Sequence, residues 1–314
     1  TLGVSGHLHF STGTTSSGTA GIIALASGDA KHATSGRSGH VVLVGGTSST
    51  ADVGGKIEGF ASHSTHETGG SISATSGVAP PSTSGTIVVR SSNAGTNGVS
   101  GQLLFVTGTT SRGSSGAVQF STGNALGSGK AGGIVLSAGS GDSLVGGNVL
   151  VSAGSTTATT GGGISMSTGA GSTKSSGHVV VSTADAGTLG VSGHLHFSTG
   201  TTSSGASGKV SVVSGAAASG SSGALKIQLG TSSTDAGGEI VLKAGASTPL
   251  TGGVVSVLSG SGAAKSSGSV SIQSSNSGTN GISGTLSFMS GVTTSGSSGA
   301  LKMASGNKAS NSSL

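Results

Sequence analysis

One pattern of apolar and polar positions runs through the 314 residues from end to end. The unit reads small-Gly-x-aliphatic-x-apolar-x-small-Gly and is followed by a polar stretch of about six residues. Its first clear copy is Ser5-Gly6-His7-Leu8-His9-Phe10-Ser11-Thr12-Gly13. Twenty copies occur, with the opening Gly at 6, 21, 39, 55, 70, 85, 101, 116, 132, 147, 162, 177, 193, 208, 223, 238, 253, 268, 284 and 299. Position four is Val, Ile or Leu in all twenty, from Leu8, Ile23 and Val41 to Leu286 and Leu301. Position six is large and apolar in eighteen, Gly59 and Ala74 being the exceptions. Two apolar positions separated by one, with polar neighbours, predict a half-buried β-strand. Positions three, five and seven then face outward. Gly at the strand ends predicts turns at positive φ.

A longer period lies above the short one. Residues 1–18 recur identically at 188–205, with looser copies from Thr96 and Thr279, so the offsets are 95, 92 and 91 residues, or six units. The first unit of each block carries Phe at position six (Phe10, Phe105, Phe197, Phe288). The fourth and fifth open with Gly-Gly, and the sixth lacks its closing Gly, having Ser92, Ala184 or Ser275. Duplication of a six-unit block is favoured over a contact that recurs every six units.

Short strands between Gly-rich turns predict an all-β fold, a β-solenoid of twenty units of ~15 residues. Equivalent strands would stack about 4.8 Å apart. One unit per coil would set the apolar face against a polar loop such as Thr14-Thr15-Ser16-Ser17-Gly18. Two units per coil, ~31 residues, would set apolar faces against each other, so this arrangement is preferred: ten layers, about 48 Å long. An antiparallel meander stays open, because sequence does not fix strand direction. The whole of 1–314 reads as one continuous repeat domain. Its blocks lie at about 1–95, 96–187, 188–278 and a partial 279–314, and it is taken as a segment of a longer array. The first residue is Thr and no signal-peptide pattern is present.

Composition narrows the class. Gly numbers 64, Ser 68 and Thr 37, while charged residues are 7% and aromatics 2%; an ordinary domain is about one quarter charged. Hydrophobic residues at 32% argue against disorder, and three Pro (Pro80, Pro81, Pro249) argue against collagen. No apolar run reaches the ~18 residues of a membrane helix, so membrane insertion is not expected. There is no Cys, hence no disulfide framework. The net charge of +5 is spread thinly, without a basic run or interleaved aromatics, so nucleic acid is not an expected partner.

Candidate chemistry is sparse. His7 and His9, and again His194 and His196, sit two apart on an outward face, with His40 and His178 at position three elsewhere. Acidic or Cys partners are missing nearby, so no metal is expected. The least regular stretch, 52–68, holds Asp52, Glu58, His63, His66 and Glu67. It is the one place for a hydrolase or lyase site, though loop decoration is the preferred reading. The eight acidic residues never form the calcium-solenoid pattern, and no G-K-[ST] marks a phosphate loop. Catalytic residues and cofactors are accordingly expected to be absent. An ice-binding ladder would need Thr at alternate outward positions; only Thr86 and Thr285 occupy position three. The Thr pairs Thr14-Thr15, Thr109-Thr110, Thr201-Thr202 and Thr293-Thr294, with the sequon at Asn311, are the candidate glycosylation sites.

In repeat style the chain resembles the Ser/Gly/Thr-rich β-solenoid proteins of extracellular fibres, adhesin stalks and algal or microbial surface appendages. That resemblance implies a structural, non-enzymatic protein outside the cell or on its surface. The partner expected is the chain itself, head to tail or laterally, with covalent glycans. The alternative is an adhesin or ice-binding module working through one face. A carbohydrate-active enzyme centred on 52–68 ranks third.

Overall fold

The computed structural model describes residues 7–29, 37–48, 53–78, 83–142, 145–233, 236–248, 250–263 and 265–306. Among these there is no helix and no strand. The chain is coil-like, and the all-β solenoid with two units per coil is not its fold.

The hydrogen bonds give the physical reason. A solenoid needs the backbone of one segment to pair with a segment ~15 or ~31 residues further on. Here the backbone bonds instead close the polar loops. The N–H of an opening Gly donates to the carbonyl at or next to the end of the preceding unit, eight to eleven residues earlier. Such bonds are Gly39 to Gly28 (3.1 Å), Gly55 to Gly46 (2.8 Å), Gly70 to Ser62 (2.8 Å) and Gly85 to Gly77 (3.0 Å). No backbone bond among the described residues joins one seven-residue apolar segment to another. A closed loop sets an opening Gly beside the preceding closing Gly, some 20 Å from the opening Gly one unit back, which excludes stacking at ~15 residues; against stacking at ~31 residues stands the lack of any backbone bond at that spacing among the described residues.

The chain divides into two units, Thr1–Ile164 and Ser165–Leu314. In the first, Phe105 and Phe120 meet edge to face, with ring centroids 6.1 Å apart. They lie three residues before and four residues after the loop 108–116, so the two segments leave that loop side by side. The second carries the same kind of loop closure, at Gly177 to Gly169 (3.1 Å), Gly253 to Gly245 (2.9 Å) and Gly268 to Gly260 (2.9 Å).

Neither unit has a core. No described residue is buried; Gly45, Ser76 and Ala244 are half-buried and the others exposed. The accessible surface is 31388 Å². A folded protein of 28.8 kDa exposes about 11,000 Å² and its unfolded chain about 42,000 Å². The alternation predicted from sequence persists as a gradient. Position four runs from 48% exposed at Leu286 to 62% at Leu301, with only Leu8 and Ile72 higher, whereas Val135 and Leu150 at position five reach 86% and 87%.

Candidate functional site

The features that repeat in space are the loops. Each complete block has six loops, of which the first, fourth, fifth and sixth return in kind, while the second and third vary in span and closure. The first class (13–21, 108–116, 200–208, 291–299) contains a Gly at strongly positive φ: Gly18, Gly113, Gly205 and Gly296, between 107° and 112°. Three residues before it stands a Thr, and in 200–208 and 291–299 its hydroxyl turns back into the loop. Thr202 Oγ1 donates to the Ser204 carbonyl (2.9 Å) and accepts from the Ser204 N–H (3.2 Å). Thr293 Oγ1 accepts from the Ser295 N–H (3.1 Å). These are hydroxyl-closed turns, the habit of Ser and Thr where backbone groups lack regular partners. The fourth class (62–70, 154–162, 245–253) and the fifth (77–85, 169–177, 260–268) are closed by the backbone bonds already described. The sixth class (92–101, 184–193, 275–284) is built on a four-residue turn, with bonds from Gly98 to Gly95, Gly190 to Gly187 and Gly281 to Gly278 at 3.3–3.4 Å.

Opening glycines have a different origin from the one expected. None of those described sits at positive φ. At several of them the position-eight side chain of the preceding unit lies where a Cβ would go. A Cβ on Gly21 would meet Thr12 at 3.0 Å, on Gly39 Ser27 at 3.1 Å, on Gly147 Ala138 at 3.1 Å and on Gly177 Thr168 at 3.2 Å. Where position eight carries a hydroxyl it can tie the neck further: Thr12, Ser27 and Thr122 donate to the carbonyls of Gly21, Gly39 and Gly132 at 3.2, 2.8 and 3.1 Å. Leu229 is the one large residue at position eight, and its Cδ1 lies 3.2 Å from the Cβ site of Gly238. The closing glycines Gly13, Gly28, Gly77 and Gly108 have nothing within 4 Å of theirs. The sequence carried this signal as the small residue at position eight, whose partner across the loop it does not name.

The candidate residues are dispersed. Thr14, Thr15, Thr109, Thr110, Thr201, Thr202, Thr293 and Thr294 are all exposed in first-class loops. Asn311 and Asp52 lie outside the described residues. His7, His9, His40, His178, His194 and His196 are exposed, and no group of three His, Cys, Asp or Glu that could hold a metal occurs among the described residues. In the irregular stretch, Lys56 Nζ pairs with Glu58 Oε1 at 2.9 Å. These are positions three and five, so the two outward positions do share a face. His66 Nδ1 lies 2.8 Å from Thr65 Oγ1, and the Glu67 N–H donates to Ser64 Oγ at 2.9 Å. The imidazole of His66 and the backbone of Glu67 thus serve the loop, and Glu58 serves its own segment. No helix among the described residues is long and apolar enough to cross a membrane. Comparison with known proteins finds no matching family model, no matching curated protein and no matching solved structure.

Proposed function

We propose that this chain is a structural, non-enzymatic repeat protein of an extracellular or cell-surface filament or layer, in which copies associate side by side. The observation that carries this reading is the ladder of twenty position-four aliphatics, most of them about half exposed and none covered within the chain. Fully burying such a side chain removes roughly 60–120 Å² of apolar surface, at about 25 cal/mol per Å². Half of that over the ladder is on the order of 600–1,200 Å² per copy, against about 800 Å² per partner in a stable interface. A second copy is the partner that fits, since it offers the same apolar spacing over the same length and has unpaired backbone groups in the same segments. Thirteen basic and eight acidic residues over 314 leave little charge to hold copies apart. The Thr-bearing loops project into solvent beside the ladder. O-linked glycans on Thr14, Thr109 and Thr201 belong to the same reading, since the neighbouring Thr of the first-class loop is the one turned inward where its bonds are formed.

The test is pelleting of the purified chain beside a variant with Ile57, Ile72, Ile87, Leu103, Val118 and Ile134 changed to Ser. The parent is expected to pellet above a threshold concentration, and the variant to need at least about tenfold more. Equal behaviour of the two would refute the reading.

A further inference from the structure

We infer that copies of this chain associate only in registers that differ by whole six-unit blocks, so that the block is a unit of recognition as well as of ancestry. The inference rests on the side-by-side assembly proposed above. It adds the rule by which one copy reads another.

The ladder alone cannot set a register, because an aliphatic stands at position four of every unit and any shift of one unit matches it equally well. The loops break that degeneracy. The first class holds a Gly near φ 110° in all four blocks, a feature the second class shares only at Gly220, and in the three complete blocks the fourth and fifth are closed by a backbone bond and the sixth is a four-residue turn. Span follows class in four of the six, whereas the second class spans eleven, nine and eight residues and the third nine, eight and eight. From closing to opening position, the first, fourth and fifth classes span eight residues in every block, while the sixth spans nine in every complete block. Phe at position six marks the first unit in all four blocks. In the second block its ring, Phe105, packs edge to face on Phe120 of the next unit. A neighbour displaced by one to five units would set each sixth-class turn against a loop of another class. A shift of six units would set first-class loops on first-class loops and sixth-class turns on sixth-class turns. The first-class loop, kept in four blocks, and the sixth-class turn, kept in three, mark the six-unit period, and a second copy of this chain is the partner that carries the same marks.

Two deletions separate the register from the assembly itself. Removing 96–187 takes out one block and joins Gly95 to Thr188, the junction that Gly187 makes in the parent. Removing 101–146 takes out three units and leaves everything downstream three units out of phase. Each variant, fluorescently labelled in trace amount, is mixed with excess parent, and the labelled fraction in the pellet is measured. The block deletion is expected to enter at parity and the three-unit deletion at least about tenfold less, while each pellets with its own copies. Equal entry of both would overturn the register while leaving assembly standing. Failure of the parent itself to pellet would overturn assembly, and the register with it.

A second measurement uses chains of full length. Nitroxides on Thr188→Cys should couple with Thr188→Cys or Thr96→Cys of a neighbouring copy. Coupling of equal strength between Thr188→Cys and Ser140→Cys, which lies in a loop of another class, would also overturn the register.

Discussion

At the scale of single residues, glycine does two separate jobs in this chain, and each has its own test. Opening glycines make room for the position-eight side chain across the loop. Gly21→Ala would drive a methyl against Thr12 at 3.0 Å, whereas Gly13→Ala would meet nothing within 4 Å. Overpacking costs about 1–3 kcal/mol. NMR amide shifts around 12–21 should therefore change with the first substitution and hold with the second; equal perturbation would remove the account of the neck. Glycines inside the first-class loops supply positive φ instead. Gly205, at φ 107°, should resist replacement, with Gly205→Ala costing about 1–2 kcal/mol and shifting the amide resonance of Ser204, which rests on Thr202. An unchanged Ser204 amide would show that the turn does not depend on that backbone angle. The Lys56–Glu58 pair is exposed on the lysine side and half-exposed on the glutamate side, so it adds at most about 1 kcal/mol. Glu58→Gln and Glu67→Gln are expected to leave pelleting unchanged and to abolish no turnover on a polysaccharide panel; loss of a measurable hydrolytic activity in either would return 52–68 to candidacy as an enzyme site.

At the scale of the element, the sequence states which side chains share a face and leaves open what covers that face. The alternation was legible: Lys56 reaches Glu58, and position four is less exposed than position five in the same segments. The strand was not, because a strand is made by its neighbour. Periodicity places Ile87 and Val89 on one side of a segment without supplying the backbone to pair with it. The loops decide against the coil. Polar, Gly-rich stretches between strands predict turns leading into the next layer. Gly55 bonds to Gly46 and Gly253 to Gly245, so those loops close on themselves, and no apolar segment pairs with another among the described residues. The six-unit beat was visible in the Phe, the Gly-Gly pairs and the missing closing Gly. That the beat also repeats the conformation of the first and sixth loops became visible only through the positive φ of Gly18, Gly113, Gly205 and Gly296 and the turns ending at Gly98, Gly190 and Gly281. The candidate Thr sites were legible as loop residues. Their pairing was not: within a pair, only the Thr three residues before the glycine can close the turn. Intact mass of the chain from its native source should exceed the polypeptide mass by whole hexose or hexosamine increments, with Thr14, Thr109 and Thr201 carrying more than Thr15, Thr110 and Thr202. A bare polypeptide mass would eliminate the glycans.

At the scale of the whole molecule, the deciding quantity is surface. The chain exposes 31388 Å², far nearer to an unfolded chain of its mass than to a folded one. Ordering one residue's backbone costs about 1–2 kcal/mol, and half-covered aliphatics with no fully buried side chain leave only a small apolar gain within one copy to offset it. Copies that covered the ladder for one another would supply that gain, and would do so more effectively the longer the run of matched units. Order in this protein is then a property of the assembly and depends on concentration. Sedimentation velocity over a hundredfold range of concentration tests this most directly. The expected result is an expanded 28.8-kDa species with a high frictional ratio at the dilute end, giving way reversibly to large particles as concentration rises. A single compact 28.8-kDa monomer at every concentration would mean that the chain buries its own aliphatic ladder, and would contradict the account.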